Sequence, residues 1–164
     1  MKLELNITNS EGNQDDIDPD IFAKIKGILE QELKILMPAS ENYQAAEIAL
    51  TFMDSEGIRE LNNTYRNIDE PTDVLSFPMN DDDELENNFM PVLILGDIVI
   101  CESEMMKLHP ELNHDEALCL MIAHSFLHLL GYDHDTDEKQ KVMWKIQDGI
   151  KNKMLAKINN RSVI

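Results

Sequence analysis

Positive charge is scarce in this chain. Fourteen Lys and Arg stand against 32 Asp and Glu, a formal net charge of -18. So acidic a surface repels nucleic-acid phosphates and anionic lipid at long range, which argues against a general DNA or RNA binder and against a membrane-surface protein. A local basic cleft remains open, because surface charges are screened beyond roughly 8–10 Å at physiological salt. Cysteine is nearly absent: Cys101 and Cys119 stand outside any C-x-x-C pattern and are too few for a disulfide scaffold. No apolar run approaches the roughly 18–20 residues of a membrane span. Met1–Thr8 lacks the charged-then-apolar layout of a signal peptide. The expected location is the cytoplasm, with reduced thiols. Aromatics make up 5% of residues, so the core must lean on Leu, Ile, Val and the ten Met, whose side chains pack adaptably.

What remains is an ordinary globular composition, 43% hydrophobic and 28% charged, over 164 residues, enough for one domain with a real core. Leu3–Thr8 alternates as a strand, and Ser10–Asp20 reads as a turn-rich connector. Asp18-Pro19 then caps and opens a helix whose apolar residues recur through Met37. Glu47–Met53 reads as a strand, and Asp54 or Ser55 caps a helix reaching Arg66. Asp73–Phe77 is a short strand, Asn80–Asn88 an exposed acidic loop without apolar anchors, and Val92–Ile100 a buried strand. Cys101–Lys107 continues as a short helix stopped at His109-Pro110. A long helix runs from near Asn113–Asp115 to Leu130, where Gly131 ends it, and a last helix spans Asp137–Lys157. Leaving the short helix aside, the order β-α-β-α-β-β-α-α predicts an α/β fold of α+β-like character. It is a single domain over residues 1–158, with a mixed, mostly parallel four-stranded sheet packed with helices and a frayed tail at 159–164.

Three of the five histidines fall within eleven residues, in His124-Ser-Phe-Leu-His128-Leu-Leu-Gly-Tyr-Asp-His134. Residues four apart stack on one helix face, so His124 and His128 can aim two imidazoles at one ion. Gly131 lets the chain turn back, and His134 can add a third ligand from the loop. Three imidazoles suit a tetrahedral zinc, one per chain, with an open position; another divalent transition metal is the alternative. His109 and His114 read as solvated loop residues, and Cys119 as core packing, since it falls out of register with His124. Asp133 either supports a ligand imidazole or faces solvent.

The spacing H-x3-H-x5-H, with Gly seven residues after the first His, resembles that of the metzincin metalloproteases. Those enzymes carry a Glu base directly after the first His. Here Ser125 stands there, so the metzincin-like metal-site helix lacks the peptidase base. Three segments together resemble the YbeY family of ribosomal-RNA maturation endoribonucleases: Leu61-Asn-Asn-Thr-Tyr-Arg66 with Pro71-Thr-Asp-Val-Leu-Ser-Phe-Pro78; Leu95-Gly-Asp-Ile-Val-Ile100; and His124 through His134. The family's third segment usually reads H-G-x-L-H-L-x-G-Y-D-H, so Ser125 replaces its small Gly.

The resemblance implies a three-His zinc site in a cleft and cleavage of single-stranded RNA. It also implies a role in small-subunit ribosomal RNA processing and ribosome quality control, with ribosomal RNA and the small subunit as partners and neither DNA nor membrane. It carries Arg66 over as a functional residue beside His124. A guanidinium there would stabilise charge on a pentacoordinate phosphorus. On the residues alone, Arg66 is equally a helix C-terminal residue favoured by the macrodipole. Thr72 and Asp73 either shape the cleft or cap a turn. Water and the RNA 2'-hydroxyl both stand as nucleophiles, and no residue is assigned as general base. Two rival classes are a metallopeptidase or small-molecule hydrolase on the same three-His site, and a ribosome-associated binding factor with little catalysis.

Overall fold

The computed structural model describes residues 1–10, 17–87 and 90–160. Residues 11–16 of the expected connector, Asn88 of the acidic loop and residues 161–164 of the tail lie outside them. The chain runs β1 (Lys2–Asn9), α1 (Pro19–Leu36), β2 (Ala45–Phe52), α2 (Ser55–Arg66), β3 (Val74–Pro78), α3 (Asp82–Asn87), β4 (Val92–Ile100), α4 (Glu102–Leu108), α5 (His114–Leu129) and α6 (Asp137–Asn159). A short 3-10 turn at Pro38–Asn42, not anticipated from the sequence, links α1 to β2. The sheet order is β1-β2-β4-β3, with β1, β2 and β4 mutually parallel and β3 antiparallel on the edge. This is the expected α+β fold with a mixed, mostly parallel four-stranded sheet.

Local chemistry sets the helix starts. Asp18 caps α1 by accepting from the Asp20 and Ile21 N–H groups, with Pro19 in the tolerated first position. Asp54, rather than Ser55, caps α2 through Gly57 N–H at 2.7 Å. Asn113 and Glu116 form a reciprocal capping box at the start of α5. The acidic segment departs from expectation. Glu84 N–H donates to Asp81 Oδ1, Asp81 N–H donates to the Glu84 carboxylate, and Leu85, 5% exposed, anchors the resulting helix in the core. The D-x-x-E signature was present in the sequence, but the density of carboxylates masked both it and Leu85.

The main core lies between one face of the sheet and helices α1, α5 and α6. Ala46, Ile48, Leu50 and Phe52 of β2 face it in strict alternation. In β4 the alternation slips: Leu93 and Leu95 face this core, then Ile98 and Ile100. The slip is a bulge, because Glu47 pairs with Ile94 and Ile48 already with Gly96. An extra residue swaps the faces of everything after it. Val99 is thereby handed to the second face, where it joins Ile58, Leu75 and Cys101 beneath α2. Both consequences matter for the site. Helix α5 is held against β3 and β4, and α2 is held against the opposite face of the edge strand. No helix among the described residues is long and apolar enough to cross a membrane.

Candidate metal centre

Helix α5 ends in a way that its sequence dictates. Gly131 adopts φ 93°, a left-handed conformation costly for any residue with a Cβ. Its N–H donates to His128 O at 3.0 Å, and Tyr132 N–H donates to Leu127 O at 3.0 Å. That pair of bonds is a Schellman motif, and it turns the chain back over the last helical turn. The Tyr132 carbonyl then accepts from His128 Nδ1 at 2.9 Å. Asp133 accepts the backbone N–H of His134 at 2.8 Å, fixing the loop rather than an imidazole. Asp133 is exposed, so of its two expected roles it takes the solvent-facing one.

The second imidazole is oriented from another element. Gln147 of α6 presents Oε1 to His124 Nδ1 at 2.8 Å. With both Nδ1 atoms donating to carbonyl oxygens, both Nε2 atoms carry lone pairs, yet they face each other at 3.1 Å. Two lone pairs opposed at that distance repel unless a cation stands between them. Donors at 2.0–2.1 Å from a tetrahedral zinc lie roughly 3.3 Å apart, so the spacing suits such an ion. Burial pushes both imidazoles below their ordinary pKa, helped in His128 by the neighbouring His124, which keeps them in the neutral, ligating form. The ligand atoms of His124, His128 and His134 all lie within 4.8 Å of one another, the one such group among the described residues. The donor set therefore fits a metal, with three nitrogens and room for a fourth ligand. The Trp144 ring stands 5.8 Å from His124 and 5.2 Å from His134, walling one side.

The site opens into a cleft of about 460 Å³ lined by His124, His128, Tyr132, Asp133, the β3 residues Val74 and Ser76, and Arg66. Arg66 is the last residue of α2, where Asn67 ends the helix in a left-handed conformation, φ 59°. One arm of its guanidinium donates to Ser76 O at 2.9 Å, and its carbon sits 5.8 Å above the Phe77 ring. Arg59 is different: it makes a two-pronged contact with Asp69 at 2.9 and 3.2 Å. Among the described residues no ion pair involves Arg66, so its charge faces the cleft uncompensated.

The other sequence candidates fall elsewhere. His109 lies just past the end of α4, in the loop as expected, but is half-buried rather than solvated, meeting Asp73 Oδ2 at 3.0 Å. His114 is the first residue of α5 rather than a loop residue, exposed as expected and paired with Glu102, a contact that raises its pKa. Neither joins the three-His group. Asp73 holds the start of β3, accepting from Val74 N–H and from the Thr72 hydroxyl. Cys119 is fully buried in the core, as its register implied, and burial pushes its thiol up to about 12. Ser125 is also fully buried, away from the cleft, and its hydroxyl has no partner among the described residues. Gln147 and Trp144 were not anticipated. The signal for Gln147 was a polar residue in the buried α6 series Met143, Gln147, Ile150, Met154.

Fold and site together define a single-domain α+β protein with a three-histidine candidate metal centre at a helix-to-loop junction, facing a cleft that holds one unpaired arginine. A family model described as endoribonuclease YbeY matches residues 7–155. The endoribonuclease YbeY of Thermoanaerobacter sp. (strain X514) is 34% identical over 158 residues, covering 91% of this chain and 95% of that protein. Its counterpart in Clostridioides difficile (strain 630) is 40% identical over 141 residues, covering 85% and 89%. The solution structure of TM1509 from Thermotoga maritima matches with a TM-score of 0.58 at 23% identity, over 95% of this chain and 92% of that one, a likeness of fold. The chain belongs to the YbeY endoribonuclease family, which supports a nuclease function with RNA as the substrate class.

Proposed function

We propose that this protein is a single-strand-specific, metal-dependent endoribonuclease of small-subunit ribosomal RNA maturation and ribosome quality control. It acts in the cytoplasm, with residues 1–158 as one catalytic domain, residues 159–164 as a tail, and ribosomal RNA and the small subunit as partners. The observation that carries the reading is the pair of opposed Nε2 lone pairs 3.1 Å apart, in the same cleft as the unpaired Arg66. His124, His128 and His134 would hold one zinc or similar ion. When bound, it supplies Lewis acidity toward a phosphoryl oxygen and lowers the pKa of a bound water. Gln147 and the Tyr132 carbonyl hold two of the imidazoles in the tautomer and orientation that ligation needs. Arg66, steadied by Ser76 O and the Phe77 ring, offers its remaining N–H donors to the phosphate. Those donors gain strength as negative charge builds on the pentacoordinate phosphorus. The buried Ser125 cannot serve as a peptidase base, which disfavours the metallopeptidase alternative.

Cleavage of a defined single-stranded RNA by protein freed of host nucleases tests this. Cleavage should be chelator-sensitive and lost in His124→Ala together with the metal. Arg66→Ala should keep fold and metal but lose on the order of a hundredfold in rate. Arg66→Lys should recover only part, since lysine lacks the planar fork. An Arg66→Ala protein that cuts at the wild-type rate removes Arg66 from the mechanism. Chelator-sensitive peptide cleavage without RNA cleavage overturns the nuclease reading.

A further inference from the structure

Beside the cleft, α2 presents a second feature that the hydrolytic chemistry leaves unused. Tyr65 precedes Arg66 and is 63% exposed, an unusual cost for so large a ring. It is not loose. Its ring meets Phe77 edge-to-face, with centroids 5.2 Å apart and planes at 67°. The same Phe77 ring carries the Arg66 guanidinium at 5.8 Å. One half-buried phenyl ring therefore braces both an exposed aromatic and the unpaired cation. An edge-to-face contact covers at most one face of Tyr65, so a face stays open to a partner. Tyr65 also borders a depression that contains Asp54 and Glu60. Those carboxylates repel a phosphate, whereas the Arg66 side attracts one.

We propose that Tyr65 is a stacking subsite for one unpaired nucleobase of a single-stranded RNA whose adjacent phosphate lies on Arg66. This rests on the nuclease reading above and adds to it how a single strand is held. Every base has a π-face, so a tyrosine platform selects unstacked, single-stranded RNA without choosing a sequence. A base-paired nucleotide has no free face to offer. The phosphate then falls toward Arg66 and the three histidines, and Asp54 and Glu60 keep the backbone out of their depression. Tyr65 is a positioning residue here, since it touches the base and not the reacting atoms.

The test compares Tyr65→Ala, Tyr65→Leu, Tyr65→Phe and Tyr65→Trp, each checked for wild-type metal content. Tyr65→Ala and Tyr65→Leu should raise KM for single-stranded RNA roughly tenfold or more while changing kcat little. Tyr65→Leu keeps an apolar side chain against Phe77, so a merely structural role would be rescued by it. The two aromatic variants should keep the wild-type KM. RNAs carrying 2-aminopurine at successive positions give a direct readout, because stacking on an aromatic ring quenches its fluorescence. One position should be quenched by wild type and Tyr65→Phe and not by Tyr65→Leu. Wild-type KM in Tyr65→Leu, with no position distinguishing it from wild type, overturns the subsite and leaves the nuclease reading standing. Wild-type protein that neither binds nor cuts the RNA overturns both.

Discussion

Ser125 buries a hydroxyl that has no hydrogen-bond partner among the described residues, one residue from a candidate metal ligand. An unsatisfied buried hydroxyl costs about 1–3 kcal/mol, and Ser is a poorer helix former than Ala by about half a kcal/mol. Ser125→Ala should therefore stabilise the protein by about 1 kcal/mol, a rise in Tm of about 2–4 °C by calorimetry. Ser125→Gly should lose most of that gain, because glycine costs about 1 kcal/mol against alanine inside a helix. A clear drop in Tm for Ser125→Ala would mean that the hydroxyl has a partner after all. At this scale the sequence singled out the three histidines that the structure groups and kept His109 and His114 apart from them. His124, His128 and His134 were legible because helical spacing and a glycine stop are local facts. Gln147 was not, because its contact with His124 spans 23 residues and depends on how α6 lies on α5. Nor were the pairings of His109 with Asp73 and of His114 with Glu102, which join separate elements.

Strand β4 shows how one element sets the geometry of the site. Gly96 has φ 143°, and a Cβ there would meet the backbone oxygen of Phe77 at 2.2 Å and a Leu129 methyl at 2.9 Å. Gly96 thus lets edge strand β3 approach β4 while α5 packs over the junction. Gly96→Ala should destabilise by on the order of 2 kcal/mol or more, from an unfavourable φ and a clash with backbone that cannot rotate away. Because β3 also carries Ser76 and Phe77, which steady Arg66, the same variant should lose RNA cleavage beyond its loss of folded protein. Denaturant titration at wild-type midpoint would contradict the role given to Gly96. Apart from α3 and the 3-10 turn, the element order was legible, with ends shifted by one to two residues, as at α6, which continues past Lys157 to Asn159. The bulge was not, since Val92–Ile100 is apolar on both faces and a slip within it leaves no trace in the hydrophobic pattern. Helix α3 was missed for the opposite reason, a single apolar anchor, Leu85, among carboxylates.

Across the whole molecule, a net charge of -18 surrounds one cleft with an unpaired arginine. The protein therefore makes few phosphate contacts, and counterion release should be small. A single-stranded RNA held at one or two phosphates gives a slope of log affinity against log salt of roughly -0.7 to -1.4. Screening of the protein's own negative field flattens it further. Fluorescence anisotropy at several salt concentrations should show this shallow dependence, and a slope near -5 would reveal an extended basic track that the fold does not display. Whether the three histidines form a metal centre is decided by zinc titration into metal-stripped protein, followed by calorimetry. About one ion should bind per chain, with binding lost or severely weakened in His124→Ala, His128→Ala and His134→Ala and unchanged in His109→Ala and His114→Ala. Undiminished binding in all three of the first set, or no binding by the folded wild type, would contradict the metal centre.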